Sequence, residues 1–448
     1  MGVDGLASYV STYGELFRCH RRDNSEKLNQ YLSGLFHDGK HNIERMTERI
    51  VDSTYTALQH FISDSPWDHK VVLSAVRKDL SALFMPSSDP IGLILDESGH
   101  RKRGRDSVGV ARQYLGSIGK VDNGQVGVFA ALSQGDHVGM VNVRLYLPKE
   151  WSQSKSRCKK AGIPPSEQHY RSKGELALEM VKEMEGEIDY DWIGGDSIYG
   201  NSQALRKGLT QLDRCFVMDT SERQRVYLTD PKPYIPPSGP GRGRKKSSWV
   251  SDEKPTKLKA LLGQLSDSDW ILHTVRQGCK GALRREVYCT EVYIWSEQRV
   301  TTSEVEKLRL IISRNPDGSE VKYSLTNDLH FPHFQGLTDK DRLYRQMQRY
   351  WVERGIQECK DTLGMTDYQV RGWRAWYHHI TLTIMALHYM LEQKVKWKNE
   401  IPLLSCPDIK LFLALTLERK ATDPHEVWNL IQVRHQQRQA DLDRRYLK

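Results

Sequence analysis

The chain lacks the cysteine spacings that build disulfide frameworks or zinc sites. Its seven cysteines, at positions 19, 158, 215, 279, 289, 359 and 406, include no CxxC or CxH pair, a pattern suited to a reducing compartment. No run of about 18 uncharged apolar residues occurs, the length a membrane-crossing helix needs. The opening Met-Gly-Val-Asp-Gly-Leu has no basic region followed by an apolar stretch, and Leu6 stands where a myristoylation signal wants Ser or Thr. These absences predict a soluble, cytoplasmic protein without a membrane partner. A phosphate cradle of the GxxxxGKS or GxxxxGKT type is also missing, which leaves no basis for ATP use. His378 and His379, and the pair His330 and His333, have no acidic or Cys partner at ligand spacing. Adjacent helical side chains diverge by about 100°, so packing roles are expected for them. No internal repeat is visible.

What is present makes nucleic acid the leading candidate partner, although a basic, merely solvated surface reads equally well from charge alone. A chain of 448 residues is too long for one ordinary core and predicts two or three domains. Lys and Arg number 66 against 57 Asp and Glu, a net charge of +9, which favours a polyanionic partner where the excess clusters. It clusters twice. Arg101, Lys102, Arg103 and Arg105 fall within six residues, in a loop suited to phosphate contact. Arg242 and Arg244 sit on a Gly-Pro-Gly-Arg-Gly-Arg-Lys-Lys frame that reads either as a minor-groove hook or as a plain basic linker.

Periodicity divides the chain. Residues 1–85 read as a helical N-terminal domain, with Leu28, Tyr31, Leu32 and Leu35, then Ile43, Met46 and Ile50, at helical spacing. A DNA-gripping domain and an inert helical cap fit this pattern equally. Residues 86–219 read as the first part of a mixed α/β core. Ile91 to Leu95 form a tight apolar strand ending at Asp96, then come a strand pair over 125–132 and 138–147, a helix over 173–187, a strand from Tyr190 to Asp196, a helix over 202–212 and a strand from Cys215 to Met218. Residues 220–326 read as an inserted β-rich subdomain, in which Trp270 and Trp295 either stack on a flipped base or belong to the core. Residues 327–395 return to helices as the second part of the core, and residues 396–448 form a helical C-terminal region suited to dimerisation.

Cutting a phosphodiester without a covalent intermediate takes divalent ions that activate the attacking oxygen and stabilise the leaving one, and hard cations of this kind ask for carboxylates. Asp96 and Asp196 are expected at strand ends. Asp196 follows Gly194 and Gly195, which would let the backbone approach DNA, although Asp and Gly also make ordinary turns. Glu97 adjoins Asp96, but neighbouring side chains on a strand face opposite ways, and Asp96 is the chosen ligand. Arg349, Glu353 and Lys360 fall at i, i+4 and i+11, within about 40° of one another on a continuous helix, bordering an apolar stripe of Val352, Ile356, Cys359 and Leu363. They read as a ligand with two phosphate-holding cations or as a solvated ion-paired face.

Several stretches in one order resemble insertion-sequence family 701 transposases. They are Ile94-Leu-Asp96-Glu-Ser-Gly99, Ser107 to Tyr114, Asn123 to Val128, Tyr146-Leu-Pro-Lys-Glu-Trp151, Gly195-Asp196-Ser-Ile-Tyr199-Gly200, and Arg349-Tyr-Trp-Val-Glu353 through Lys360. The resemblance spans roughly residues 25 to 390. It implies a DDE enzyme with a ribonuclease H-like core, in which Asp96, Asp196 and Glu353 hold two Mg²⁺ ions per site, with Mn²⁺ able to substitute. It implies further that Arg112, Tyr199, Arg349 and Lys360 face DNA, and that the related Tyr-Arg-Glu-Lys branch carries a β insertion where one is read here. Arg349, Glu353 and Lys360 match that branch's signature. The Tyr does not, because Gln346 occupies its place, and this departure bears on whether freed ends pass through hairpins.

The function so implied is a transposase that binds the terminal inverted repeats of its own element, excises it by hydrolysis and transesterification, and inserts it into target double-stranded DNA, acting as a homodimer on paired ends. A domesticated, catalytically silent DNA-binding regulator is the non-enzymatic alternative, which loss of an acidic residue would favour. A junction-cutting nuclease of the same fold would differ in needing no particular ends.

Overall fold

A computed structural model describes residues 3–84, 87–237, 248–278, 281–295, 303–421 and 423–446. The N-terminal part is helical, with α1 (Val3–Tyr13), α2 (Ser25–Phe36), α3 (Ile43–Thr47), α4 (Tyr55–Ser63) and α5 (His69–Phe84). Asn42 and Thr54 cap α3 and α4 by accepting from backbone N–H groups, which satisfies donors a helix start leaves free. Next come β1 (Gly92–Arg101), β2 (Ala111–Leu115), β3 (Lys120–Gln134) and β4 (His137–Leu145), then the short α6 (Lys149–Ser152) and α7 (Lys155–Lys160). The core continues through α8 (Lys173–Met184), β5 (Trp192–Gly195), α9 (Ser197–Gly200), α10 (Gln203–Gln211) and β6 (Phe216–Asp219). Beyond it lie β7 (Arg225–Val226), β8 (Thr256–Lys257), α11 (Leu258–Leu262), β9 (Ile271–Gly278), β10 (Gly281–Ile294), β11 (Glu306–Arg314) and β12 (Lys322–Thr326). The chain closes with α12 (Asp339–Gln357), a π-helical turn over Glu358–Thr362, α13 (Trp373–Lys396), α14 (Cys406–Thr416) and α15 (Pro424–Tyr446).

One mixed sheet organises these elements in the order β2-β3-β1-β5-β6-β12-β11-β10-β9, with β4 on β3. β1, β5 and β6 run parallel, while β3, β4 and the β12-to-β9 group are antiparallel. Side-chain alternation along β1 sorts the two faces. Ile94 joins the cluster that includes Val352 and Ile356 of α12, much of α13 and the N-terminal helices. Leu93 and Leu95 join the cluster built on α8 and α10. The sheet is therefore sandwiched between helical layers, as an α/β core requires.

Three expectations change. β1 does not end at Asp96 but continues to Arg101, because Glu97 to Arg101 pair with Gly124 to Val128 of β3. The segment over 220–326 is not a β unit apart: β9 to β12 join the main sheet through β12 and β6. The N-terminal helices share one core with α13 instead of enclosing their own. Tyr31 bonds His379 Nδ1 at 2.8 Å, and His378 stacks on Trp67 at 3.6 Å. The two ring nitrogens of His378 lie 2.9 and 3.0 Å from the carbonyls of Ile62 and Trp67. α13 is buried nearly all round, so it reads as a central core helix. Among the described residues no helix is long and apolar enough to cross a membrane.

Candidate active site

The three parallel strands bring three aspartates into line. Leu95 pairs in register with Gly195, and Gly195 with Met218; the next residues are Asp96, Asp196 and Asp219. Adjacent strands lie about 4.8 Å apart, so one carboxylate emerges per strand at the place where parallel α/β sheets bind ligands. Asp96 lies on the α12 side with Ile94, and Glu97 on the other, where it pairs with Lys173 at the start of α8. Asp196 caps α9, its Oδ1 accepting from Ile198 N at 2.9 Å. Asp219 was not singled out from the sequence, where it follows a short apolar run as a turn residue would.

Helix α12 crosses this edge, started by a capping box between Thr338 and Asp341. Arg349 donates through Nε to Asp219 Oδ2 at 2.9 Å and through Nη1 to Glu353 Oε1 at 2.5 Å. The same Nη1 lies 4.0 Å from Asp96 Oδ2. The continuous α-helix expected as far as Lys360 gives way to the π turn over Glu358–Thr362, so ideal α spacing does not apply to Lys360. It lines the cleft all the same. Turns of this kind often mark functional sites because they re-aim a side chain without breaking the helix.

Asp96, Asp196, Asp219, Arg349, Glu353 and Lys360 share one open cleft of about 1000 Å³, which Lys322 also lines. Its acids crowd around the Arg349 guanidinium, with Lys322 and Lys360 also lining the cleft. Burial raises the Asp96 carboxyl to about 7, with Asp196 adding to the rise and Arg349 opposing it. Burial likewise raises Asp196. Burial works against the charge on Arg349, but Asp219, Glu353, Asp96 and Asp196 outweigh it and hold its pKa above the ordinary value. Burial lowers Lys322 and Lys360. Among the described residues no three His, Cys, Asp or Glu side chains stand grouped to hold a metal ion. Glu353 is turned to Arg349, with about half of its side chain exposed.

Other expected contacts fare unevenly. Tyr199 is fully buried, so its ring packs beneath the site and does not face DNA. Gly194 and Gly195 are buried in the strand; a Cβ on Gly194 would meet Ile94 Cδ1 at 2.7 Å, so this glycine serves sheet packing. Lys102 folds inward, its Nζ over the Tyr368 ring at 3.3 Å and 3.1 Å from the Tyr368 carbonyl, and burial lowers its pKa to about 8. Arg101 pairs with Asp122 yet is largely exposed, and Arg103, Arg105 and Arg112 are exposed. Trp295 is buried with Tyr227, and Trp270 packs under Arg314 at 4.0 Å, so both serve packing. Arg242 and Arg244 lie outside the described residues.

A second basic surface was missed because three distant segments build it. Arg157 of α7 bonds the Arg105 carbonyl at 3.0 Å and lies 4.0 Å over the Trp151 ring. Lys160 and Arg371 flank Asp106 at 3.9 and 3.7 Å. Lys155, Lys159, Lys160, Arg103, Arg105 and Arg371 are all exposed there. The only local trace of this surface in the sequence is the Lys155-Ser-Arg-Cys-Lys-Lys160 run.

A family model described as DDE superfamily endonuclease matches residues 15–282, more than half of the chain. The chain belongs to the DDE superfamily endonucleases. The match takes in Asp96, Asp196 and Asp219, and places this DDE endonuclease among enzymes that cut DNA. A relative is a probable transposase for insertion sequence element IS701 from Microchaete diplosiphon, 26% identical over 322 residues, which are 70% of this chain and 68% of the relative. Among solved structures, the cryo-EM structure of the piggyBac transposase synaptic complex with hairpin DNA matches with a TM-score of 0.40 and 14% identity, covering 92% of this chain and 77% of that one.

Proposed function

We propose that this DDE endonuclease is a transposase that binds the terminal inverted repeats of its own element, cuts at their tips and joins the freed ends to target DNA. The observation that carries the reading is the cleft in which Asp96, within β1, and Asp196, just past the end of the neighbouring parallel β5, stand beside Glu353 on α12. Its acids offer hard oxygen donors, and burial disfavours the ionised forms of Asp96 and Asp196, a cost that a bound divalent cation would offset. The fit is good for these two. Glu353 is the third ligand in this reading, released from Arg349 by rotation of a half-exposed side chain. Bound there, Mg²⁺ or Mn²⁺ would activate the attacking oxygen and stabilise the leaving one.

The chain's own groups do the rest. Arg349 and Lys360 supply cationic donors to the phosphates flanking the cut. Arg103, Arg105, Arg112 and the exposed lysines of α7 extend the duplex path away from the cleft, holding the backbone without reading its sequence. Joining two ends calls for two sites, which supports a homodimer on DNA.

The test uses a plasmid carrying the DNA that flanks the reading frame, incubated with wild type or Asp196→Ala, with Mg²⁺ or EDTA, and mapped on a denaturing gel. Metal-dependent breaks at both repeat tips, absent with the variant, are expected, and strand lengths report whether hairpins form. Specific binding without cleavage under any divalent ion would overturn the enzyme reading in favour of a DNA-binding regulator.

A further inference from the structure

Behind the cleft, a chain of buried hydrogen bonds runs from β11 to Arg349. Ser313 Oγ donates to Gln346 Oε1 at 2.6 Å, and Gln346 Nε2 donates to Ser324 Oγ at 2.8 Å. Ser324 Oγ then donates to Asp219 Oδ1 at 2.6 Å, and the other oxygen, Oδ2, accepts from Arg349 Nε at 2.9 Å. Ser313, Gln346 and Ser324 are essentially inaccessible, so each would lose stability if left unpaired. Donation runs one way along the chain and ends on a carboxylate with both oxygens engaged. That occupation argues against Asp219 as an open ligand. It argues for a tether, because a guanidinium fixed through Nε has little freedom left for its Nη atoms.

We propose that Asp219 is a positioning residue: carried by the Ser313, Gln346 and Ser324 chain, it tethers Arg349 so that the guanidinium stays out of hydrogen-bonding range of Asp96 and leaves that carboxylate open to a divalent cation. The 4.0 Å between Arg349 Nη1 and Asp96 Oδ2 is the gap so maintained, beyond the roughly 3.2 Å of a hydrogen bond. Without the tether the guanidinium is drawn to the buried, incompletely neutralised Asp96 and competes with the metal. Gln346 thereby has a defined part to play where the related signature has Tyr: its amide both accepts from and donates to flanking serines, which a phenol cannot do with the same geometry. The inference rests on the proposed metal-dependent function.

The experiment compares wild type, Asp219→Asn, Ser324→Ala and the double variant. Mn²⁺ binding to the DNA-free protein is followed by electron paramagnetic resonance of the free ion, beside thermal unfolding and nicking of a repeat-bearing plasmid. Asp219→Asn is expected to bind Mn²⁺ about tenfold more weakly, the scale of one charge-assisted hydrogen bond. Ser324→Ala is expected to shift the same way by less, and the double variant to match Asp219→Asn, since both cut one chain. Mn²⁺ affinity within twofold of wild type for a folded Asp219→Asn, or additive effects, would overturn the inference while leaving the functional reading intact. Should Asp219→Asn fail to fold, Ser324→Ala decides alone: weaker Mn²⁺ binding supports the tether and unchanged binding overturns it. A wild type that takes up no Mn²⁺ and cuts nothing overturns both.

Discussion

Gly200, the last residue of α9, abuts the main chain of Asp219 so closely that a Cβ would lie 1.8 Å from the Asp219 carbonyl oxygen and 2.9 Å from its carbonyl carbon. Backbone cannot yield as a flexible side chain does. Gly200→Ala is therefore expected to push β6 away from α9 and misplace Asp219, at a cost of about 3 kcal/mol. Gly116→Ala is the control, because that cleft-lining glycine has nothing within 4 Å of its added Cβ. Thermal unfolding of both, with a clear drop for the first and almost none for the second, checks the packing. Equal melting temperatures would refute it.

The acids predict how the metal-free protein responds to pH. Burial raises Asp96 from 3.8 to about 7, so between these values the folded state holds a proton that the unfolded state has released. Stability is then lost as pH rises from about 4 to 7, by on the order of 4 kcal/mol for this group alone. Asp196 shifts in the same direction. In EDTA, Asp96→Asn is expected to flatten this slope and to be more stable than wild type at pH 8. Mn²⁺ affinity in wild type is expected to climb over the same interval, because the metal takes the ionised carboxylate. Parallel melting curves for the variant and wild type from pH 4 to 8 would count against a raised Asp96.

On the surface, the lysines of α7 can be tested without touching the cleft. Lys155, Lys159 and Lys160 are exposed beside Arg105 and Arg371. If each neutralises one phosphate, replacing all three by Ala is expected to lower the slope of log affinity against log salt by about 2 to 3. Binding should weaken alike on specific and unrelated duplexes, since phosphate contacts carry no sequence information. An unchanged slope, measured by fluorescence anisotropy over a salt series, would take the duplex path off this face.

Much of the arrangement was legible because it is local. Apolar runs and helical spacing mark α8, α10, α12 and α13 and the central strands. The continuation of β1 past Asp96 was hidden because Glu97 to Arg101 look polar, although pairing with β3 buries Ser98 and His100. Asp219 was hidden for a different reason: its partners Ser324 and Arg349 lie 105 and 130 residues away. The π turn leaves no spacing signal either, since the residues that form it would suit a regular helix. Lys102 reads as one of a cationic run, and only the fold places Tyr368 beneath it. Local pattern thus marks the helices and strands, the choice of Asp96, Asp196 and Glu353 rests on the family resemblance, and tertiary contact decides which cations face the cleft.

Arg349 offers a test of the balance between internal cation and metal. Its guanidinium engages Asp219 and Glu353 and stands near Asp96, the fork geometry that Lys lacks. Arg349→Lys keeps the charge but not the fork, and nicking is expected to fall by about 10- to 100-fold, the scale of a lost charge-assisted hydrogen bond to a flanking phosphate. Arg349→Ala removes the counter-charge altogether and leaves the acids facing one another, so the metal-free variant should be clearly less stable than wild type. A divalent ion then has more repulsion to relieve and no guanidinium holding Glu353. The rise in melting temperature on adding Mn²⁺ is accordingly expected to be larger for Arg349→Ala than for wild type, because stabilisation by a ligand grows with the logarithm of its affinity for the folded state. An equal or smaller rise would mean that Arg349 helps to build the metal site and does not compete with it.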